Sequence, residues 1–360
     1  MWRTAPWPVA APVAASPVHD DPDPPCDLVD VAVDLNAARG KGLLRDARRR
    51  NPLPRPSLSP ESKLAAFRMG SALTSVLPGA VSRSMAGGIG LMAARMSGPG
   101  GMVALRNRRH LARHHLRRVY GPQMSEVTLG LRVDEAFGSY ARYWAESLRL
   151  PSLAAEEVDA GMSFRGMDHL HNALVQGRGA ILALPHLGGW DWGGMWMAQS
   201  DWPISVVVET LRPPEVFEWF VEFRRRLGME VIPLDRAVAA ASMRALRAGR
   251  ALCLLSDRLV GATPGVDVEL FGAPTRLPAG PVTLALRTGA PLLPCAVYFA
   301  DGVSGHLAVV ERPMVLERRG HLRDDVVRGT QQLAEQLELL IGRAPTQWHM
   351  MQPIWPEDHL

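Results

Sequence analysis

At 360 residues, with 47% hydrophobic and 21% charged side chains, the chain has the composition of a globular protein with one sizeable core, which excludes a fibrous or wholly disordered polypeptide. Three widely spaced cysteines, Cys26, Cys253 and Cys295, give neither a disulfide framework nor a CxxC zinc site, and no run of 18 uncharged apolar residues predicts a membrane span. The net charge of +4 matters less than its distribution: between Ser62 and Ser125 there is no Asp or Glu, while Lys63 and nine arginines form one basic block.

Residues 1–61 are proline-rich, with 11 of the 30 prolines before residue 61, and carry charged clusters without a sustained hydrophobic period. Such a segment buries too little apolar surface to offset its ordering entropy, so a disordered extension is expected. Pro6, Pro8, Pro12 and Pro17 also interrupt any apolar stretch a secretory signal would need. The remainder, 62–360, is expected to form one domain, with a basic helical part over 62–150 and an α/β core over 151–352.

Helices are predicted over 62–77, ended by Pro78-Gly79, and over 80–96. After Gly98-Pro99-Gly100-Gly101 a strongly basic helix should run from Val103 to Tyr120. Arginines beside Met-rich apolar helices suit an anionic bilayer surface, at roughly 1 kcal/mol per basic residue near it. The same charges also fit a solvated face on a core helix. Nucleic acid is not expected as a partner, because neither aromatic interleaving nor a zinc-finger or RRM pattern accompanies the charge. His110 and His114 have a metal-compatible i, i+4 spacing, yet no local acidic or Cys partner completes a site, so they are read as surface histidines and no metal is expected.

A helix over 134–150 places Phe137, Tyr140, Tyr143, Trp144 and Leu148 at helical spacing, as a core face does, and another spans 167–176. Strands then alternate with helices: strand 180–185, a helix from Asp191, strand 204–208, helix 214–227, strand 230–233, helix 236–248 and strand 251–256. The rhythm predicts an α/β fold with a central, mostly parallel mixed sheet flanked by helices and the site at the strand carboxyl ends. An exposed strand over 266–271, a helix over 278–288, strands over 291–299 and 306–311, and a helix over 322–342 complete the chain. No Gly-x-Gly-x-x-Gly, Walker loop or Gly-x-Ser-x-Gly elbow occurs, which argues against nucleotide enzymes and serine hydrolases.

The stretch Leu184-Pro185-His186-Leu187-Gly188-Gly189-Trp190-Asp191 carries the chemistry. An imidazole takes a proton from an alcohol when its other nitrogen is held as a donor, and a carboxylate five positions on, brought back by a glycine turn, could hold it. Amides of the helix that begins there, around Gly189 to Trp192, could face an oxyanion. The plainer alternative is that Asp191 and His186 merely fasten a loop. Glu209, Asp257 and Arg258 likewise follow strand ends and Arg224 lies on the next helix, as scaffold ion pairs or as a polar pocket.

His186-x4-Asp191, with Val208-Glu209, Phe223-Arg224, Leu227-Gly228-Met229-Glu230-Val231, Ser256-Asp257-Arg258, Phe271-Gly272, Pro278-Ala279-Gly280-Pro281 and Pro345-Thr346-Gln347-Trp348, resembles the phosphatidylinositol mannoside acyltransferases, relatives of the lipid A acyltransferases, over roughly residues 63–352. The resemblance implies a glycerophosphate-acyltransferase-like fold and a peripheral enzyme on the cytoplasmic side of the cell membrane. It implies that a fatty acyl chain passes from acyl-CoA, a co-substrate with no further cofactor, to a mannose hydroxyl. His186 is then the general base, Asp191 its orienter, and Glu209, Arg224, Asp257 and Arg258 bind substrate. Related enzymes often carry Glu, or an Arg flanked by two acids, where Leu259 follows Arg258 here. Two alternatives stand beside this reading: another lipid acceptor, lipid A-like or a lysophospholipid, and a catalytically silent lipid-binding protein.

Overall fold

The computed structural model describes residues 103–359, except 201, 212–213, 262 and 301–304, together with Met69, Gly88 and Met92. The expected extension over 1–61 and the helices over 62–77 and 80–96 lie outside the described residues, save those three positions.

Two helices open the described chain, α1 (Val103–Tyr120) and α2 (Glu126–Arg149), and a short α3 (Ala155–Ala160) follows. The α2 helix starts eight residues before its expected position. Ser125 caps it by accepting from the Thr128 amide at 3.1 Å, which satisfies one of the orphan donors of the first turn. Then come β1 (Met162–Arg165), α4 (Met167–Leu174), β2 (Ala180–Leu184), α5 (Trp190–Ala198), β3 (Ile204–Val208), α6 (Pro214–Arg226), β4 (Glu230–Pro233), α7 (Val238–Arg247) and β5 (Ala251–Leu255). The chain continues through the hairpin β6 (Gly265–Leu270) and β7 (Ala273–Pro278), then α8 (Gly280–Thr288), β8 (Leu292–Phe299), β9 (His306–Val310) and α9 (Leu322–Arg343).

Seven strands form one sheet in the order β1-β9-β8-β2-β5-β3-β4, parallel throughout except for the antiparallel pair β8/β9. The expected mostly parallel mixed sheet is therefore present. Strand β2 lies in the middle and all five of its side chains are buried, as a sheet covered on both faces requires. Ile181 and Ala183 join the core formed with α7, α8, α9 and the β6–β7 hairpin. Ala180, Leu182 and Leu184 face the opposite layer, with Leu170 of α4, Met195 and Met197 of α5 and Phe223 of α6. By the two-residue period of a strand, the side chain at position 186 emerges on this second face. A smaller cluster packs α1 on α2 through Leu116, Leu129, Val133 and Phe137, and Met351 from the tail closes it.

Among the described residues, no helix is long and apolar enough to cross a membrane.

Candidate active site

Strands β2 and β5 pair in parallel with Leu184 beside Leu255, so residues two beyond each strand end, His186 and Asp257, come level. The Asp257 carboxylate is fully buried and receives three donors. The His186 amide donates to Oδ2 at 2.8 Å, the Trp348 indole to Oδ2 at 2.8 Å, and His186 Nδ1 lies 2.6 Å from Oδ1. Burial alone would raise this carboxyl, but the His186 ring, the indole and the amide together hold it below the ordinary value for aspartate. With Nδ1 committed as a donor to a carboxylate, the neutral ring keeps its lone pair on Nε2.

The expected orienter, Asp191, stands elsewhere. It is 4% exposed and accepts from the Tyr143 hydroxyl at 2.7 Å and from Arg224 Nε at 3.2 Å, with Arg224 Nη2 3.1 Å from Oδ1. Asp191 lies in the first turn of α5, which carries it onto the side of α2 and α6, whereas the neighbouring strand delivers Asp257 to the imidazole. The pairing of His186 with Asp191 is thus replaced by His186–Asp257, and Asp191 joins Tyr143 to Arg224. Burial, and then the Asp191 charge, push the Tyr143 hydroxyl well above its ordinary value. Burial would depress Arg224, but Asp191 and Tyr143 outweigh it and raise the guanidinium.

Glu209, at the end of β3, pairs with Arg258 at 2.6 Å and not with Arg224. Arg258 therefore touches Glu209 while Asp257, one residue before it, turns inward to the histidine.

The turn between β2 and α5 is set by Gly188, whose φ of 62° is left-handed. A Cβ there would lie 2.0 Å from the Val297 carbonyl oxygen, so only glycine fits. The amides of the turn are largely used: Gly188 donates to Gln347, Gly189 to Val297 at 2.8 Å and Trp192 to Gly189 at 3.0 Å. Of the amides expected to face an oxyanion, those of Gly189 and Trp192 are therefore already committed within the fold.

Beside His186 a cavity of about 250 Å³ runs between the sheet and α5. Its wall is mainly apolar, with Leu182, Leu184, Val206, Leu255 and Val297 from the strands and Trp190 from the helix; Glu209, Asp191 and Arg224 supply polar groups. Trp190 stands edge-on to the His186 ring at 5.7 Å and stacks on Tyr143 at 4.0 Å. Cys253 and Cys295 border the same cavity, and burial pushes the Cys253 thiol up to about 12, so neither suits a nucleophile.

Sequence reasoning missed His349. It is buried, its amide donates to the His186 carbonyl oxygen at 2.8 Å, and its Nε2 is 2.8 Å from Ser139 Oγ. Burial, helped by the His186 charge, lowers it to about 3, so it is neutral. The signal was its place directly after Gln347-Trp348, whose indole holds Asp257. The helical spacing of Tyr143 predicts only a core position, since it reports burial and not the hydroxyl's partner. Also unforeseen is the buried pair His306–Glu146, with Nε2 3.0 Å from the carboxylate.

The block of α1 arginines is mostly engaged within the chain. Arg109 pairs with Asp134 at 2.5 Å, Arg113 and Arg117 both with Glu126, and Arg118 with Glu357, while Arg106 and Arg108 are exposed.

The sequence model of the bacterial lipid A biosynthesis acyltransferase family matches residues 69–357. The chain is 36% identical over 295 residues to a phosphatidylinositol mannoside acyltransferase of Mycolicibacterium smegmatis, covering 81% of this chain and 91% of that protein. A phosphatidylinositol mannoside acyltransferase of Mycobacterium tuberculosis is 37% identical over 265 residues, 69% of this chain and 80% of its own length.

Proposed function

Because the chain belongs to the bacterial lipid A biosynthesis acyltransferase family, we propose that it transfers a fatty acyl group from acyl-CoA to a mannose hydroxyl of a phosphatidylinositol mannoside. The observation that carries this reading is the His186 ring, held by a buried carboxylate on one nitrogen and bordering an apolar cavity. His186 Nε2 takes the proton of the mannose hydroxyl as its oxygen attacks the thioester carbonyl. Asp257, not Asp191, fixes the tautomer and stabilises the imidazolium. Collapse of the tetrahedral intermediate expels the CoA thiolate, which takes the proton back from His186. The dipole at the start of α5 favours the transient oxyanion, by way of amides other than those of Gly189 and Trp192.

The acyl chain occupies the apolar cavity, where Leu182, Leu184 and Val206 exclude water from it. The acceptor headgroup meets Glu209, presented by Arg258, and the Asp191–Arg224 wall. The protein works at the cytoplasmic face of the cell membrane as a peripheral enzyme, with the exposed arginines of α1 toward anionic lipid.

The test is to incubate purified protein with acyl-CoA and a panel of glycolipid acceptors and to identify products by mass. The expected outcome is one added acyl chain on the phosphatidylinositol mannoside and an equivalent of free CoA. Transfer confined to lipid A-type or lysophospholipid acceptors would move the substrate assignment. A bound acyl-CoA that neither transfers nor hydrolyses would leave a lipid-binding protein.

A further inference from the structure

Outside the cavity, one cluster of titratable side chains has no part in the chemistry above. His114 and His115 are successive residues near the C-terminal end of α1, and both rings reach one carboxylate. His114 Nδ1 lies 2.7 Å from Asp358 Oδ1, and His115 Nε2 lies 3.0 Å from Asp358 Oδ2. Side chains at adjacent helical positions diverge by about 100°, so these two rings meet only because Asp358 enters the seam between them. The expectation that His114 is a surface histidine is therefore corrected: no local acid partners it, but Asp358, 244 positions away in sequence, does.

Counting protons shows that the cluster needs a positive centre. His115 Nδ1 is 2.9 Å from the Met350 carbonyl oxygen, which can only accept, so Nδ1 carries hydrogen. In the neutral ring the lone pair is then on Nε2 and points at a carboxylate oxygen, another acceptor. Two facing acceptors repel, and either a proton or a metal ion must lie between them.

Three features favour the metal. The ligand atoms of His114, His115 and Asp358 all lie within 4.8 Å of one another. Two imidazoles and a carboxylate are a donor set that zinc-class ions accept, and metal bonds of about 2.0–2.2 Å put neighbouring ligand atoms about 3.4 Å apart, so the 2.7 and 3.0 Å contacts would open by about 0.4–0.7 Å around an ion. The cluster also has outer support of the kind metal ligands have. Met350 fixes the His115 tautomer, and the Ile354 and Trp355 amides donate to Asp358 Oδ2 at 2.9 Å each. The His115 ring and the Asp358 carboxylate are out of solvent, whereas the His114 side chain is 31% exposed, which leaves solvent a route to a fourth position.

We propose that His114, His115 and Asp358 bind one divalent transition-metal ion of the zinc class, which staples the segment 350–358 to α1. The chain just before that segment carries Trp348, the indole that donates to Asp257. The staple thus steadies the support of the catalytic imidazole without touching substrate.

The experiment uses tag-free, full-length protein, stripped with a chelator and titrated with Co²⁺ as a coloured stand-in for zinc. The expected result is one equivalent bound, with the intense visible bands of a tetrahedral site, and a higher unfolding temperature. Both effects should be lost in His114→Ala, whose exposed ring can be removed with little loss of packing. His114→Gln serves as the second variant if His114→Ala does not fold. No stoichiometric binding by the wild type, or binding and thermal shift undiminished in a folded His114 variant, would place a proton between ring and carboxylate and overturn the site.

Discussion

Two imidazole–carboxylate pairs in this molecule, each built on a buried carboxylate, share a construction and differ in what surrounds them. His186 meets Asp257 at 2.6 Å across the ends of β2 and β5. His306, at the start of β9, meets Glu146 of α2 at 3.0 Å, and Arg142 adds a second bond to that glutamate at 2.9 Å. In both, the ring and its neighbours outweigh burial and hold the carboxyl below its ordinary value. Access separates them. The His186 side chain is 23% exposed and lines the cavity, whereas His306 is 2% exposed beneath the Trp192 ring, stacked on it at 4.3 Å. A carboxylate partner sets a tautomer in either place, but proton exchange with a substrate needs the second nitrogen on a cavity. His306 instead fastens the sheet to α2 behind the catalytic turn, where a Cβ on Gly189 would lie 2.6 Å from its ring.

The sharpest break of this contrast is to remove each ring in turn. His186→Ala should lower kcat by about 10²- to 10⁴-fold in protein that still folds, where the residue 186 amide and the Trp348 indole continue to donate to Asp257. His306→Ala should cost about 3–5 kcal/mol of stability, because it leaves Glu146 buried without its ring partner, yet hold kcat within about tenfold where the protein is folded. Equal losses of kcat, measured below both melting temperatures, would erase the distinction. The two aspartates divide in the same way. Asp257→Asn deprives the ring of its anionic partner and should reduce kcat by up to about 10⁴-fold with KM nearly constant. Asp191→Ala strands the buried Arg224 and should appear chiefly as about 3–5 kcal/mol of lost stability in denaturant titration.

A smaller effect follows from His349, which the fold keeps neutral down to about pH 3 against an ordinary value of 6.5. Between those values the unfolded chain binds a proton that the folded one refuses, so stability is full above pH 6.5 and falls as pH drops through the window. The slope is at most about 1.4 kcal/mol per pH unit. His349→Gln should flatten the stability profile between pH 6.5 and 5, above the range in which Asp257 and Glu146 titrate. A variant with the wild-type slope would show that His349 is not the group responsible.

The sequence made the strand-end chemistry legible because alternation and glycine turns are local signals. His186, Glu209 and Asp257 were each placed after a strand, and the parallel register then brought Asp257 to the imidazole. Nearness along the chain favours Asp191 as orienter, but the start of α5 carries that residue away to Tyr143 and Arg224. Strand β7 escaped because Pro274 and Pro278 argue against a strand, yet it is one half of an isolated hairpin that tolerates them. Strand β1 escaped because four residues, Met-Ser-Phe-Arg, hold no readable period. Contacts such as Ser139 with His349, separated by 210 positions, arise only when α2 and the tail pack together.

The basic helix α1 divides in the same way into engaged and accessible groups. Arg109, Arg113, Arg117 and Arg118 are held by acids of α2 and the tail, so their removal should loosen the α1–α2 packing before it alters attraction to a surface. Arg106 and Arg108 are exposed on α1 and should carry the electrostatic attraction. At about 1 kcal/mol each, Arg106→Gln with Arg108→Gln should weaken partitioning onto anionic vesicles by roughly 20- to 30-fold at low salt, with an unchanged melting temperature. Because the Debye length falls to about 3 Å at 1 M salt, the difference from wild type should vanish there. Sedimentation of protein with phosphatidylinositol-containing vesicles measures it. Partitioning equal to wild type at low salt would move the lipid-facing surface away from the start of this helix.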